Sequence, residues 1–595
     1  MKVPAFLTAL DGPVHRFLFA AALAMALLPL SGAADAQQPR TDSATVRDGP
    51  LPRAIGREAL GVYNQANTLR SLGPYRVDSG AVVERDVAVV DGPVIVAGHI
   101  SGRLVAINAN VELAQGARID GDLLVVGGRV TGVAGAVIGG GVRVYRGRLD
   151  YLEEGDVLVS TDTTGRVQAG LEDFWLQWRA RDRRSGVRFK LTTAKSYNRV
   201  EGLPIMVGPE YRAPRAWGGT ELRVFGVFRT ANDFRWDSEN IGHDVSGEIS
   251  LGRDRGLRLS GSLYDLVRPV EDWQLAGDEV GLASFLLRRD FRDYFDAHGG
   301  SVNAGLFIGP DVELKLGLAD ERWASRASRD PFSIFRNGIA WRANPAADAG
   351  KFHVADLILR VDTRNVVDRP WSGLYLLADY EHGSGRVSEF AELSPGVRPI
   401  DDSRVRYGRG FLDVRRYSRI SPGAQLNLRL VAAGWLHGDP LPAQRRLSLG
   451  GPGTLPGYDF RGLAGNVDLG QCSTLTVPAG SPAQCDRVVL AQAEYRGDLH
   501  LHDLGRMGDW LGRGWRHGAQ WVAFANSGRG WLVSHGDPTV GEPLQLSRGA
   551  FPRLASFRTD LGLGVDLGLF GIYVARGISD PGQRTNFYLR LHERF

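Results

Sequence analysis

The rhythm that most limits what this chain can become is a two-residue alternation of apolar and polar side chains. Val312, Leu314, Leu316 and Leu318 face away from Glu313 and Lys315, and Leu357, Leu359 and Val361 face away from Asp356, Arg360 and Asp362. Val245, Ile249 and Leu251 likewise stand opposite Ser246, Glu248 and Ser250, as Leu257, Leu259 and Leu263 stand opposite Arg258, Ser260 and Ser262. Successive side chains of a strand point to opposite faces, so these segments read as strands with one apolar and one polar face. A soluble sandwich carries the same pattern. Here, however, the stretches between strands are long and unequal, as at residues 322–351 and 387–406. Long connections on one side, short turns on the other and strands of ~9 to 11 residues mark a barrel that crosses a membrane.

The N-terminus reads as an address. Lys2 and Arg16 precede an apolar run over residues 17–30, followed by Ala34-Asp35-Ala36, which together make a secretory signal of residues 1–36 with cleavage before Gln37. The run is shorter than the ~18 to 20 residues a spanning helix needs, and no later apolar run approaches that length. An exported chain of this kind is either soluble or crosses lipid as a barrel, the only other structure that satisfies every backbone group there. Glycine, 77 of 595 residues, is well above the usual ~7%, which favours the barrel. With 71 basic against 67 acidic residues, the chain lacks the concentrated positive field that nucleic acid requires.

Residues 447–462 read LSLGGPGTLPGYDFRG, with five glycines and two prolines in sixteen positions. That composition breaks any ladder of backbone hydrogen bonds and predicts a shaped loop. Strand-like segments flank it, with Leu426, Leu428 and Leu430 on one side and Val489, Ala491, Ala493 and Tyr495 on the other. The Gly450-Gly451 turn, the small-residue step through Gly453 and the Gly457-Tyr458 pair resemble the inward-folded sixth loop of the bacterial surface antigen family, the outer-membrane barrels of the BamA and TamA type. Three more segments resemble that family in order. YNRVEGL at 197–203 is similar to a first barrel strand, and VDTRN at 361–365, with Pro370 and Gly373, is similar to a step between strands. The C-terminal NFYLRLHERF, with Phe587, Leu589, Leu591 and Phe595, is similar to the signal by which bacterial outer-membrane barrels are recognised for insertion.

The resemblance implies a barrel of about sixteen strands over residues 197–595 in the bacterial outer membrane, with the N-terminal domain in the periplasm. It also implies contact with outer-membrane lipids, with the barrel assembly machinery and with other outer-membrane or periplasmic proteins. One position departs from the family pattern, which has Arg immediately before Gly-Tyr, held by acidic groups on the barrel wall; here that position is Pro456. Arg461 is the nearest cation able to fold back to the same wall, with Tyr458 packing beside it, and the alternative is that Arg461 is a solvated loop charge.

Before the barrel lies a repeat. Ile100, Ile119 and Ile138 are nineteen residues apart, as are Leu104, Leu123 and Val142, Val111 and Val130, and Gly102, Gly121 and Gly140. A short fixed period of Val, Ile and Gly predicts a β-solenoid whose coils bury apolar residues against one another, or else a small meander of strands. The repeat resembles the bactofilin-type β-helix. The expected organisation is therefore all-β: signal 1–36, linker 37–75 with one short helix near residues 54–69, solenoid 76–148, connector 149–196 and a transmembrane antiparallel barrel over 197–595.

The two cysteines, Cys472 and Cys485, follow the glycine-rich loop and have no nearby His or Cys cluster to complete a metal site. In an exported protein they predict a disulfide that closes a surface loop. No G-x-S-x-G elbow, H-E-x-x-H helix or phosphate cradle ending in Lys-Ser/Thr is present, so no catalysis and no cofactor is expected. Asp362, Glu381 and Glu494, near Arg364 or Arg461, read as ion pairs of a polar lumen. Three roles stay open: assembly or translocation of proteins or lipids at the outer membrane, a structural anchor whose solenoid self-associates or binds a scaffold, and a passive pore.

Overall fold

The structure is a computed structural model that describes residues 45–47, 51–65, 68–149, 151–154, 157–160, 186–193, 196–215, 218–231, 237–252, 255–308, 311–335, 338–364, 370, 372–393, 399–400, 402–421, 424–460, 485–499, 519–535, 545–546, 552–567, 570–579 and 584–595. The chain divides into two units, one holding the repeat and the other a large antiparallel sheet.

The repeat folds as a parallel solenoid with three faces. On the first, Leu104–Ile107, Leu123–Val126 and Val142–Tyr145 stack in register, so Leu104 lies beside Leu123 and Leu123 beside Val142. On the second, Ile100, Ile119 and Ile138 stack in the same way, and on the third Val111 pairs with Val130. The nineteen-residue period is thus one coil. A Cβ on Gly121 would lie 2.9 Å from the Gly102 carbonyl carbon, so the corner tolerates only glycine.

Every residue of Val87–Val90, Leu104–Ile107 and Leu123–Val126 is buried, because this face is covered on both sides. Val87, Leu104 and Leu123 fill the coil, while Val90, Ile107 and Val126 lie under Leu60, Val62 and Tyr63 of helix α1, Arg53–Tyr63. A fully buried Val or Leu contributes ~1.5 to 3 kcal/mol, so both layers matter to stability. The solenoid's sheets also reach into the stretch expected as a linker. Leu69–Leu72 pairs with Val87–Val90, and Thr45–Arg47 adds a parallel strand beside Val142–Tyr145.

The second unit contains a sixteen-stranded sheet in strict sequence order. Its strands are β1 (Gly186–Thr192), β2 (Ile205–Arg215), β3 (Gly218–Phe228), β4 (Ile241–Gly252), β5 (Arg255–Pro269), β6 (Tyr294–Ile308), β7 (Val312–Ser325) and β8 (Ala349–Asp362). They continue as β9 (Gly373–Glu389), β10 (Arg404–Ser421), β11 (Ala424–Gly438), β12 (Arg487–Asp498), β13 (Gln520–Trp531), β14 (Arg558–Asp566), β15 (Gly571–Gly577) and β16 (Thr585–Arg590). Helix α2, Gly277–Leu287, sits in the connection between β5 and β6.

The first strand lies upstream of the position expected from YNRVEGL. β1 falls inside the stretch expected as a connector, with Val187, Phe189 and Leu191 exposed and Lys190 and Thr192 buried. The YNRVEGL segment instead links β1 to β2, and its Arg199 is fully buried, 3.0 Å from both Asp290 and Asp293. Buried charges demand partners, which the β5–β6 connection supplies.

Connections of two to four residues, at 216–217, 253–254, 309–311, 422–423 and 567–570, fall at one rim of the sheet together with longer ones at 363–372 and 499–519, and those at 270–293, 326–348, 390–403 and 439–486 fall at the other. By strand parity, Gly186 and Arg590 lie at the short-turn rim.

Candidate functional site: the filled barrel interior

The two faces of the large sheet differ in kind. Leu222, Ile249, Leu263, Val302, Leu306, Leu316, Leu318, Leu563 and Phe587 are exposed on one face, whereas Glu321, Asp413, Arg429, Glu494 and Arg496 are buried on the other. An exposed aliphatic surface of this extent is untenable in water, where patches of more than a few hundred Å² mark an interface. The polar residues point into a lumen and the aliphatic ones into lipid. This is a transmembrane β-barrel.

Its lumen is crossed by charge-assisted pairs. Asp413 accepts from Arg415 at 2.7 Å and Arg429 at 2.8 Å; Arg446 meets Asp486 at 2.7 Å; and Arg496 meets Glu494 at 2.5 Å and Asp566 at 2.9 Å. Glu381 and Glu494 do lie in the lumen, but their cations are Arg445 at 2.8 Å for the first and Arg496 and Arg594 for the second. Arg461 lies outside the described residues. Because each of these pairs is desolvated, removing one partner strands a buried charge.

The glycine-rich loop folds inward against the wall. A pair of backbone hydrogen bonds between Leu447 and Cys485, 3.0 and 2.9 Å, closes its base. Cys485 is disulfide-bonded, and Cys472, the only other cysteine in the sequence, lies outside the described residues. Within the loop Thr454 Oγ1 accepts from the Gly450 amide at 2.9 Å, and the Gly451 amide donates to the Tyr458 carbonyl at 3.1 Å. Gly453 packs on the Gln274 backbone, where a Cβ would come within 2.4 Å of the carbonyl oxygen. Ser448 donates from Oγ to Glu271 at 2.6 Å, so the β5–β6 connection braces the loop from the side.

The loop tip meets the wall at the last three strands. The Gly457 amide donates to Asp560 Oδ2 on β14 at 2.8 Å, and the Gly577 amide of β15 donates to the Gly457 carbonyl at 3.2 Å. Asn586 of β16 donates to the Pro456 carbonyl at 3.1 Å, and Tyr458 Oη to the Thr559 carbonyl at 3.1 Å. A Cβ on Gly457 would lie 2.4 Å from the Gly577 nitrogen, so only glycine permits this approach. Pro456 contributes its carbonyl to this contact, and the bond to the wall carboxylate is made by the amide of the next residue. The wall carboxylate takes a backbone amide, with Asn526 at 2.6 Å on its other oxygen, and needs no guanidinium from the tip.

The C-terminal segment departs from its expected continuous strand. Phe587 and Leu589 face outward, 75% and 54% exposed, but pairing stops at Arg590. Glu279 Oε1 on α2 accepts from Arg590 Nε at 2.8 Å and from the amides of Leu591 at 2.7 Å and His592 at 3.1 Å, which diverts the two amides from the ladder. Phe595 is consequently buried, its main-chain oxygen accepting from Tyr417 Oη at 2.8 Å. Arg594 lies 3.0 Å from Glu494 and 3.5 Å above the Phe524 ring. No local periodicity signalled these tail contacts, whose partners are about 100 and 300 residues away.

The chain is similar to solved outer-membrane proteins. BamA from Haemophilus ducreyi lacking POTRA domains 1-3 is matched at 12% identity and a TM-score of 0.39, over 74% of this chain and 80% of that one. CdiB from Acinetobacter baumannii is matched at 12% identity and a TM-score of 0.29, over 68% of this chain and 65% of that one. CdiB from Escherichia coli is matched at 12% identity and a TM-score of 0.31, over 69% and 63%. No family model matches the chain, and no curated protein matches it. The fold rests on the strand order and register themselves.

Proposed function

We propose that this barrel resides in a bacterial outer membrane, with its long connections outside and its solenoid in the periplasm, and that it takes part in inserting or translocating proteins or lipids there. The observation that carries the reading is the inward loop, buried and hydrogen-bonded to β14, β15 and β16. The same loop, which takes up part of the lumen, weighs against a passive pore. The reading contains no catalytic step and no cofactor.

Depletion of the protein is expected to lower the amounts of other outer-membrane proteins, and wild type supplied in trans to restore them. Gly457→Val, which forces the loop from the wall, should insert normally yet fail to restore them. Unchanged levels on depletion would overturn the reading. A second reading, the anchor, draws support from the first coil, where Leu69–Leu72, Tyr75–Val77 and Val82–Val83 each form the edge of a sheet among the described residues. Unpaired edges are templates for another chain, so crosslinking at exposed Leu72 or Val82 would trap a partner if this reading holds.

A further inference from the structure

The register of β7, β8 and β9 places three cations side by side on the outer face. Arg322 pairs with Lys351, and Lys351 with Arg386, as directly opposed residues. His298 of β6 stands on the other side of Arg322. One step toward the middle of the strands, Asp320 is opposite His353. Below that the face becomes aliphatic, with Leu318, Leu316 and Leu314 on β7 and Val302 and Leu306 on β6, all exposed.

Like charges directly opposed across a sheet repel one another, so the arrangement is unfavourable unless something anionic lies against it. The described residues supply little. Asp320 lies 3.5 Å from Lys351 and 3.7 Å from His353, and Asp265 lies 3.8 Å from His298. Neither Arg322 nor Arg386, both exposed, has a carboxylate partner among the described residues. The row sits near the long-connection rim, four residues or ~13 Å along β7 beyond Leu318, at ~3.3 Å per residue. A molecule that covers both the row and the leucines is apolar along its length and anionic at one end.

We propose that the outer face of β7, β8 and β9 binds the phosphate of phosphorylated lipid headgroups, with the acyl chains lying on Leu316 and Leu318. Guanidinium groups suit this ligand because they donate to phosphate oxygens in pairs. The proposal rests on the transmembrane reading. It is tested with the full chain in nanodiscs of phosphatidylcholine doped with phosphatidic acid, by measuring the lipid retained after extraction. Wild type is expected to retain phosphatidic acid severalfold above its bulk fraction, with excess inorganic phosphate leaving the enrichment unchanged. The triple variant Arg322→Ser, Lys351→Ser, Arg386→Ser should lose the enrichment while keeping heat-modifiable migration on gels; if it fails to fold, Arg322→Gln with Arg386→Gln takes its place. Equal enrichment in wild type and variant, or abolition by free phosphate, would overturn the lipid site. Failure of wild type to enter the nanodiscs would instead overturn the transmembrane reading.

Discussion

The solenoid and the barrel are built from strands with similar side chains, yet they place them in opposite senses. In the solenoid Leu104, Ile119 and Leu123 point inward and salt bridges such as Arg118–Asp120 lie outside. In the barrel Asp413, Arg429 and Arg496 point inward and Leu314, Leu316 and Leu318 lie outside. The difference is the solvent around each. Water makes burial of aliphatic groups favourable, whereas lipid removes that drive and leaves polar groups seeking one another in the lumen.

The contrast predicts which substitutions are damaging inside and outside each region. The largest effect is expected for Ile119→Asp, which buries an unpaired carboxylate between coils at a cost of several kcal/mol. Limited proteolysis of the full chain should then digest the solenoid and spare the barrel. In the lumen the damaging change is the reverse, loss of a charge. Asp413→Ala leaves Arg415 and Arg429 buried without their shared carboxylate, at ~3 to 5 kcal/mol. Leu316→Arg on the lipid face should cost ~2 to 4 kcal/mol. Both barrel variants are checked by urea unfolding followed by heat-modifiable migration, and an effect of Leu316→Arg near zero would contradict the lipid-facing assignment.

The smallest effect concerns pH at the tail. Burial alone would raise the Asp278 carboxyl, but its hydrogen bond from His592, 2.6 Å, holds it below its ordinary value. The same bond raises His592 against the opposing effect of burial. Stability from a raised histidine is fully present below its unfolded value, about 6.5, and is lost as pH rises through the higher folded value. Stability from the lowered Asp278 is present above its unfolded value and lost as pH falls through the folded one. Carboxypeptidase release of Phe595 should therefore accelerate as pH climbs past the imidazole range in wild type, and His592→Ala should flatten that dependence.

Much of the architecture was legible because it is periodic. Alternation at Leu314, Leu316 and Leu318 marked a strand, and the spacing of Ile100, Ile119 and Ile138 is the coil length itself. Gly450, Gly451, Gly453 and Gly457 mark a shaped loop, in which the first two take positive φ and the last two bring backbone against backbone. β1 is less legible although Val187, Phe189 and Leu191 alternate with Arg188 and Lys190, because the Arg-rich stretch before it hides the short pattern. What only the tertiary structure decided is the identity of distant partners: Asp560 for the Gly457 amide, Glu279 for the tail, and Lys351 beside both Arg322 and Arg386. Periodicity is set by neighbouring residues, whose geometry the backbone fixes. Partnership across the lumen or along a rim depends on how long connections close, and many sequences of the same period close differently.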